Sequence, residues 1–425
     1  MTSAIPRHLL PETAAVDAGG RLSIGGCDVI ELAERFGTPL FVYDEQHLRS
    51  RCREAVAAFG PGVAYAAKAF LTVAMARLVH EEGMHLDVAT GGELHVALSA
   101  GVPADRLVLH GNNKSDEELA TALAAGVGRI VVDSFDELDR IERIATDETV
   151  RVLVRVNPGV EAHTHRFLQT GVVDSKFGFA LMSGAAGEAI ERVRRSSVME
   201  LVGIHAHIGS QVFDVESFTK AVAVLAPLAR GVDEFSIGGG LGVPYVAGEE
   251  APSITEWAAA IRRSTATHGI DARIVAEPGR SIVAAAAVTL YRIGTIKEVP
   301  GIRTYVAVDG GMSDNPRPVL YGSGYEAFLP RATDAERPIT VRVVGKHCES
   351  GDVIVDEAAL PVDVAVGDIL ATPVTGAYGH SMGSNYNMIR RPPVVFVAGG
   401  TARLVSRRET YDDLLRRDVG IRSPE

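Results

Sequence analysis

Between about residues 60 and 280, the sequence alternates short apolar runs with longer segments whose apolar residues recur at three- and four-residue spacing. Segments such as "TVAMARLVHEEG" and "SDEELATALAAG" combine this spacing with a terminal glycine, which is typical of helices. The apolar runs are 63–67, 84–88, 106–110, 129–132, 151–156, 201–207, 234–237 and 272–276. Strand and helix repeated in this way predict a (β/α)8 barrel, with a doubly wound open sheet as the alternative.

Polar residues occur at or just after the end of each run. In a barrel these positions lie at the carboxyl ends of the strands, where such proteins carry their chemistry. The residues in question are Lys68, Asp87, Gly111–Asn113, Asp133, Asn157, His207, Gly238–Gly240 and Glu277. The barrel prediction therefore implies that these side chains face one common opening.

The pattern changes beyond residue 280. Runs such as "RTYVAVD", "ITVRVVGKH" and "PVVFVAG" are separated by turns rich in proline and glycine, which predicts an all-β domain. The stretch 21–44 is also strand-like and is expected to join this C-terminal sheet. The predicted organisation is an N-terminal segment over 1–44, a barrel over 45–285 and a β domain over 286–425.

Charge and cysteine content narrow the classes of partner and compartment. The net charge of −12 disfavours nucleic acid and anionic membranes as partners. The three cysteines show no metal-ligand spacing, which fits a reducing cytoplasm. The N-terminus lacks the pattern of a secretory signal, and no run of about 18 apolar residues predicts a membrane span.

Three groups at the predicted opening are candidate site residues, and each of them also has a purely structural interpretation. Lys68 in "YAAKAF" follows a buried strand, where a lysine needs either a function or a path to solvent. "GGGLGV" from Gly238 brings backbone N–H groups close to an anion, but it also suits a plain turn. Glu277 and Arg280 in "AEPGR" form either a functional pair or a structural ion pair.

Two histidine pairs suggest a metal as an alternative. His205 and His207 are two residues apart on an extended segment, and His163 and His165 repeat that spacing in "EAHTHRF". Because no further acidic or histidine ligand aligns with either pair, we expect no metal.

Taken together, the groups match one cofactor, pyridoxal 5'-phosphate. It needs an amine for a Schiff base, a carboxylate for its pyridinium nitrogen and donors for its phosphate. Lys68, Glu277 and Gly238–Gly240 supply these groups, and His207 supplies a flat ring to stack on the pyridine.

The chain also resembles a known family. "YAAKAF", "HGNNKS", "SKFGF", "HIGSQ", "GGGLG", "EPGR", "DGGMSDNPRPVLYG", "KHCESGD" and "GAYGHSMGSNYN" are similar, in order, to diaminopimelate decarboxylases, which are barrel-type pyridoxal-phosphate enzymes. "EPGR" is shared with ornithine and arginine decarboxylases, whereas "HGNNKS", "HCESGD" and "GAY" with "SNYN" are more specific. "YAAKAF" departs from the "YAVKAN" of many members, and Gly383 and Asn385 stand at variable positions; these departures leave the substrate less defined than the cofactor.

The resemblance implies a role for each matching residue. Lys68, Cys348 and His207 are the implied catalytic residues, with Cys348 returning a proton to carbon after CO2 is lost. The implied cofactor contacts are Lys68, His207, Ser210, Gly238, Gly239, Gly240, Glu277, Gly279, Arg280 and Tyr378. The implied substrate contacts are Arg280, Arg317, Tyr321, Glu349 and Tyr378.

The activity implied is decarboxylation of meso-2,6-diaminopimelate to L-lysine, the last step of lysine biosynthesis. The resemblance also implies a homodimer in which the "CES" segment reaches the partner's cofactor. A relative acting on ornithine, arginine or a carboxylated polyamine is the nearest alternative. A non-enzymatic pyridoxal-phosphate carrier and a metal-dependent hydrolase are the others. The long connection over 161–179 is a predicted lid.

Overall fold

The computed structural model of the protein describes residues 4–145, 149–160 and 175–420. The chain forms two compact units. The barrel unit consists of Arg49–Val243 and Glu250–Ile282, and the β unit consists of Met1–Leu48, Pro244–Glu249 and Val283–Glu425. The domain boundaries expected at 44/45 and 285/286 stay predictions.

The N-terminal elements belong to the β unit. They are β1 (Ala15–Val16), β2 (Leu22–Ile24), β3 (Cys27–Asp28), α1 (Val29–Phe36) and β4 (Leu40–Asp44). Strands β1, β2 and β3 form a small antiparallel sheet of their own. Asp28 caps α1, since its carboxylate accepts hydrogen bonds from the backbone N–H groups of Ile30 and Glu31.

The barrel contains the eight predicted strands. They are β5 (Ala64–Ala66), β6 (His85–Val88), β7 (Leu107–Leu109), β8 (Arg129–Val132), β9 (Val150–Asn157), β11 (Met199–His205), β12 (Glu234–Ser236) and β13 (Arg273–Val275), and a short β10 (Phe179–Ala180) extends the end of β9. The eight pair side by side in chain order, all parallel. Backbone hydrogen bonds from Ala64 N–H to the Ala276 carbonyl and from Ala66 N–H to the Pro278 carbonyl join the two ends. The barrel prediction is confirmed, and the doubly wound sheet is excluded because the strand order never reverses.

The helices between the strands follow from local sequence signals. They are α2 (Glu45–Phe59), α3 (Val73–Glu81), α4 (Gly91–Ser99), α5 (Asp116–Ala125), α6 (Phe135–Ile144), α7 (Ala185–Arg195), α8 (Val215–Ala229), α9 (Ile254–Thr267) and α10 (Arg280–Val283). Helix α5 shows the signals at both ends. Ser115 and Glu118 form a capping box at its start, and Gly126 ends it in the left-handed conformation at φ 74°.

Val108, Val131 and Leu153, on three neighbouring strands of the barrel, form one buried apolar cluster. The single tryptophan, Trp257 on α9, is fully buried against Phe59 and Phe218. Its fluorescence therefore reports on the folding of the barrel unit.

The β unit is completed by β14 (Ala287–Val299), β15 (Arg303–Val308), α11 (Arg317–Tyr321), β16 (Ile339–Val344), β17 (Val353–Leu360), β18 (Ile369–Pro373), β19 (Val394–Ala398), β20 (Thr401–Ser406) and α12 (Tyr411–Leu415). Its main sheet has the order β17-β16-β15-β14-β4-β19-β20, with β18 paired to β14. Strand β4 pairs antiparallel with β14 and parallel with β19, so the end of the N-terminal segment joins the C-terminal sheet as expected. The expectation was too broad for the start of the stretch 21–44, because β2 and β3 pair only within their own sheet.

Among the described residues, no helix combines the length and the apolar composition needed to cross a bilayer.

The pairing of β11 with β12 leaves no room for a side chain at Gly203. An added Cβ there would lie 1.9 Å from the carbonyl oxygen of Glu234, whereas one at Gly187 on α7 would meet nothing within 4 Å. We expect Gly203→Ala to destabilise the barrel unit by about 3 kcal/mol or more, because backbone must shift. Gly187→Ala, the matched control, is expected to stabilise it by about 0.5–1 kcal/mol. Denaturant titrations followed by Trp257 fluorescence measure both, and equal stability of the two variants would contradict this packing.

Candidate active site

A cavity of about 260 Å³ lies at the carboxyl ends of the barrel strands. It is lined by Lys68, Asp87, Ala89, His110, Gly111, Asn112, Arg155, Phe177, His205, His207 and Glu277. The barrel thus brings together six of the residues expected at one opening, namely Lys68, Asp87, Gly111, Asn112, His207 and Glu277.

Glu277 is a buried carboxylate held from both sides. The hydroxyl of Ser236 donates to its Oε1 at 2.8 Å, and Nε2 of His205 lies 3.0 Å from its Oε2. Burial by itself raises the pKa of a carboxyl group. The hydrogen bonds that Glu277 accepts from His205 and Ser236 act in the opposite direction, and its pKa lies well below the ordinary value.

The pKa of Asp87, near the end of β6, is shifted in the opposite direction. Burial, together with the charge of Glu277, raises the pKa of Asp87 well above its ordinary value. Two carboxyl groups close together in a low-dielectric cavity cannot both ionise at low cost, so their pKa values separate. The pKa values of Glu277 and Asp87 are therefore shifted in opposite directions, and Glu277 is the stronger acid of the two.

Lys68 and His207 stand at two other strand ends. Lys68 lies on a short 3-10 turn, Ala67–Ala69, directly after β5; both alanines are buried while the lysine side chain is exposed. The backbone N–H of Gly239 donates to Nδ1 of His207 at 3.2 Å, which fixes the imidazole ring. Burial and the nearby charges of Lys68 and Arg155 lower the pKa of His207 well below its ordinary value, so the ring is neutral.

The glycines after β12 are required by space. An added Cβ would lie 2.5 Å from a backbone oxygen at Gly238, 2.3 Å at Gly239 and 2.2 Å at Gly240. Gly238 and Gly240 also have φ of 67° and 111°, which favour glycine. Gly279 is equally confined, since its Cβ would lie 2.9 Å from that of Ala66.

Arg280 and Ser210 complete this edge of the barrel. Arg280 is 6% exposed, and its Nη2 donates to the hydroxyl of Ser210 at 3.0 Å. A guanidinium, a hydroxyl and side-chain-free backbone suit a phosphate. Together with the amine of Lys68 and the carboxylate of Glu277, the residues present fit pyridoxal 5'-phosphate.

The remaining predicted residues belong to the β unit. Arg317 and Tyr321 begin and end α11, while Tyr378 follows β18 and is half-buried with φ of 61°. Cys348 and Glu349 are exposed neighbours in the loop between β16 and β17.

That loop is held by hydrogen bonds to two residues absent from the predicted set. The carboxylate of Asp352 accepts from the backbone N–H groups of Met312 at 2.6 Å and His347 at 2.8 Å. The amide oxygen of Asn387 accepts from the N–H of Cys348 at 3.2 Å. An exposed thiol is therefore carried on an ordered loop.

The sequence did not predict every residue that lines the cavity, and some residues expected at the opening do not line it, namely Asn113, Asp133, Asn157 and Gly238–Gly240. His110, Arg155 and His205 line the cavity but were not in the predicted set. Asp133 and Asn157 follow their strands as expected, yet Asp133 lies 3.5 Å from Nη1 of Arg155 and Asn157 accepts from Gly159 N–H in a local turn. The signal for His205 was its place in "HAHIGS", because alternation along a strand puts it on the same side as His207.

The expected relation of Glu277 with Arg280 is also different, since Glu277 bonds to His205 and Ser236 while Arg280 bonds to Ser210. His163, His165 and residues 161–174 of the predicted lid lie outside the described residues.

A (β/α)8 barrel with a lysine and a buried carboxylate in one cavity, and a confined glycine loop after the seventh strand, is typical of the barrel enzymes that use pyridoxal phosphate. Comparison with known proteins agrees. Residues 45–284 match the family model of the pyridoxal-dependent decarboxylases, in its pyridoxal binding domain. The chain is 48% identical to diaminopimelate decarboxylase of Mycobacterium tuberculosis, over 97% of this chain and 98% of that protein. It is 46% identical to the Bacillus subtilis enzyme of the same name, over 96% and 97%.

A solved structure extends this likeness to the whole fold. The crystal structure of diaminopimelate decarboxylase from M. jannaschii in complex with L-lysine matches with a TM-score of 0.89 at 34% identity, over 96% of this chain and 98% of that one. The chain belongs to the pyridoxal-dependent decarboxylases and, within them, to the diaminopimelate decarboxylase family. Pyridoxal 5'-phosphate is therefore its cofactor.

The opposite pKa shifts of Glu277 and Asp87 predict different consequences of removing each carboxyl. Glu277→Gln removes the anion, and we expect it to lower the decarboxylation rate about 10²- to 10³-fold. Asp87→Asn replaces a carboxyl whose charged form is disfavoured with a neutral amide of similar shape, so cofactor affinity and rate are expected to change by less than about tenfold. Equilibrium titration with pyridoxal phosphate and assays of CO2 release measure both effects. A larger loss in Asp87→Asn than in Glu277→Gln would reverse the assignment.

Proposed function

We propose that this protein decarboxylates meso-2,6-diaminopimelate at its D-configured end, releasing CO2 and L-lysine with pyridoxal 5'-phosphate as cofactor. The family assignment supports the reaction. The observation within the chain that carries the choice of substrate is the environment of Arg317.

Arg317 is 2% exposed, and its partners are neutral. It donates to the hydroxyl groups of Tyr325 at 2.7 Å and Ser323 at 3.1 Å, and its guanidinium lies 4.1 Å from the centre of the Tyr245 ring. Among the described residues, no carboxylate forms an ion pair with it. A buried guanidinium without a counter-ion is costly, and a ligand carboxylate held by parallel hydrogen bonds relieves that cost.

This environment favours a substrate with an amino-acid group at each end. Diaminopimelate presents a second carboxylate at the end that does not react, and Arg317 is our candidate to hold it. Glu349 is proposed to take the distal ammonium, with Arg280, Tyr321 and Tyr378 as further substrate contacts. Ornithine and arginine lack a distal carboxylate, so they would leave Arg317 uncompensated.

In the barrel, we assign Lys68 to anchor the cofactor through its amine and Glu277 to face the ring nitrogen. His207 would lie against the ring, while Ser210, Gly238–Gly240, Gly279, Arg280 and Tyr378 would bind the phosphate. When bound, pyridoxal phosphate supplies an electron sink for the carbanion left by loss of CO2. Cys348 is assigned to deliver a proton to that carbon.

We also propose a homodimer in the cytoplasm, with each Cys348 serving the partner's barrel. The exposure of Cys348 on an ordered loop supports a thiol presented to another surface. All three cysteines are unpaired thiols, which fits a reducing compartment.

The test of the proposed substrate is CO2 release from meso-diaminopimelate, ornithine, arginine and lysine, before and after treatment with a chelator. We expect turnover of diaminopimelate to exceed that of the others and to survive chelation. Arg317→Met keeps the apolar contacts but loses the charge, and should lower kcat/KM for diaminopimelate by about 10²-fold or more. Equal or faster turnover of ornithine or arginine would overturn the assignment, and loss of activity on chelation would favour a metal enzyme.

Mixing two inactive variants tests whether the active site is shared. Lys68→Ala and Cys348→Ala are each expected to lose activity, the second by about 10²- to 10⁴-fold. If the two residues of one site come from different chains, half of the randomly reassorted dimers contain one intact site of two. Activity should then recover to about a quarter of wild type. Absence of recovery, with exchange of subunits verified, would place both residues in the site of one chain.

A further inference from the structure

We propose that His205 is the positioning residue for Glu277: a neutral imidazole whose Nε2–H holds the carboxylate ionised and aimed at the cofactor's ring nitrogen, with His110 supporting it from behind. This inference rests on the proposed contact between Glu277 and that nitrogen, and it assigns a role to residues that the proposed function leaves without one.

Glu277 is held by a hydrogen bond at each of its two carboxylate oxygens. His205 is the last residue of β11 and is 1% exposed, so its ring is fixed by the barrel rather than by solvent. Its Nε2 lies 3.0 Å from Oε2 of Glu277, while Ser236 donates to Oε1. Each carboxylate oxygen thus faces one fixed donor, which leaves the remaining lone pairs for the cavity.

The unpaired nitrogen of His205 fixes its tautomer. Nδ1 is buried and has no hydrogen-bond partner among the described residues. A proton on Nδ1 would therefore be a buried N–H without an acceptor, which costs more than a bare lone pair. The proton belongs on Nε2, so His205 is neutral and donates to Glu277.

His110 packs against this arrangement from β7's end. Its ring meets that of His205 edge-on, with centroids 5.0 Å apart and an angle of 70° between the planes. Its Nε2 lies between two carboxyl groups, 3.5 Å from Oε1 of Glu277 and 3.7 Å from Oδ1 of Asp87. Burial lowers the pKa of His110 well below its ordinary value, so this ring is neutral as well.

The His205 donor would affect catalysis by deciding whether a proton shared between Glu277 and the cofactor's ring nitrogen stays on the nitrogen. A carboxylate stabilised by donors is a weaker base, so a proton shared with the ring nitrogen remains on the nitrogen. A protonated ring nitrogen is what makes the cofactor an effective electron sink. Without the His205 donor, Glu277 becomes more basic and draws that proton away.

The same residues could instead hold a metal ion, since one ligand atom from each of His110, His205 and Glu277 lies within 4.8 Å of the others. The hydrogen bond at 3.0 Å and the neutral donor favour the positioning role over coordination. Metal analysis of the purified holoenzyme therefore belongs to the test, and stoichiometric metal that survives dialysis would overturn the proposal.

The main experiment compares His205→Leu, which fills the space without a donor, with His205→Gln, whose side-chain N–H reaches about as far as Nε2. His85→Leu is the control, because His85 is a buried histidine of β6 that lines a different cavity of the barrel. Each holoenzyme is prepared with pyridoxal phosphate labelled with ¹⁵N in the ring, and the ¹⁵N chemical shift reports whether that nitrogen carries a proton.

Wild type, His205→Gln and His85→Leu are expected to give the shift of a protonated ring. His205→Leu should move towards the unprotonated shift and lose kcat by about 10- to 100-fold, with KM for substrate little changed because His205 does not touch substrate. A protonated shift and near-normal kcat in His205→Leu would overturn the proposal. So would a His205→Gln variant that folds, by Trp257 fluorescence, yet behaves like His205→Leu.

Two further measurements are the ¹⁵N-histidine spectrum of the wild-type enzyme and the ring-nitrogen shift of Glu277→Gln. If His205→Leu does not fold, ¹⁵N-histidine spectra of the wild-type enzyme decide the matter; a neutral ring with its proton on Nε2 supports the proposal, and an imidazolium or an Nδ1–H tautomer overturns it. Glu277→Gln separates this inference from the proposed function. An altered ring-nitrogen shift in Glu277→Gln but not in His205→Leu rejects only the role of His205, whereas a normal shift in Glu277→Gln rejects the contact itself.

Discussion

The candidate active site depends on a buried carboxylate, that of Glu277, held at the carboxyl ends of the barrel strands. Glu277 is 6% exposed, and an isolated carboxylate at such a depth would take up a proton. Hydrogen bonds from Ser236 and His205 lower its pKa, whereas burial and the charge of Glu277 raise the pKa of the neighbouring Asp87. The closed ring of parallel strands makes this possible, since it fixes side chains from separate strand ends within hydrogen-bonding distance.

Each of the two units carries groups that the proposed function uses. The barrel supplies an amine, an anion and an anion-binding loop, which are the requirements of the cofactor. The β unit supplies a buried guanidinium without a carboxylate partner among the described residues, and a thiol on an ordered, exposed loop. Under the proposed function, the groups of the barrel explain why CO2 is lost and those of the β unit explain why diaminopimelate is the molecule that loses it.

The barrel fold and part of the candidate site could be predicted from the sequence. Eight alternations of strand and helix predicted the barrel, and the position of Lys68 and Glu277 after their strands predicted that they meet, because parallel strands end at one face. The sequence did not separate residues that enter the cavity from those that do not. Asp133 and Asn157 occupy equivalent strand-end positions, but their side chains bond locally or to Arg155, since the direction of a side chain at a strand end depends on the twist there. The apolar pattern does not predict the full length of the 13-residue β14, because the second half of this strand is largely exposed. The sequence around Cys348 also does not show whether its thiol serves the barrel of its own chain or that of a partner.

The most direct test of the central claim is the infrared spectrum of the apoenzyme in the carbonyl region, compared among wild type, Asp87→Asn and Glu277→Gln. A protonated carboxyl group gives a C=O stretch distinct from that of a carboxylate, and difference spectra isolate the contribution of each residue. Our account predicts that Asp87→Asn removes a protonated-carboxyl band and that Glu277→Gln removes a carboxylate band. Loss of the protonated band in Glu277→Gln instead would mean that the barrel does not keep its charge on Glu277.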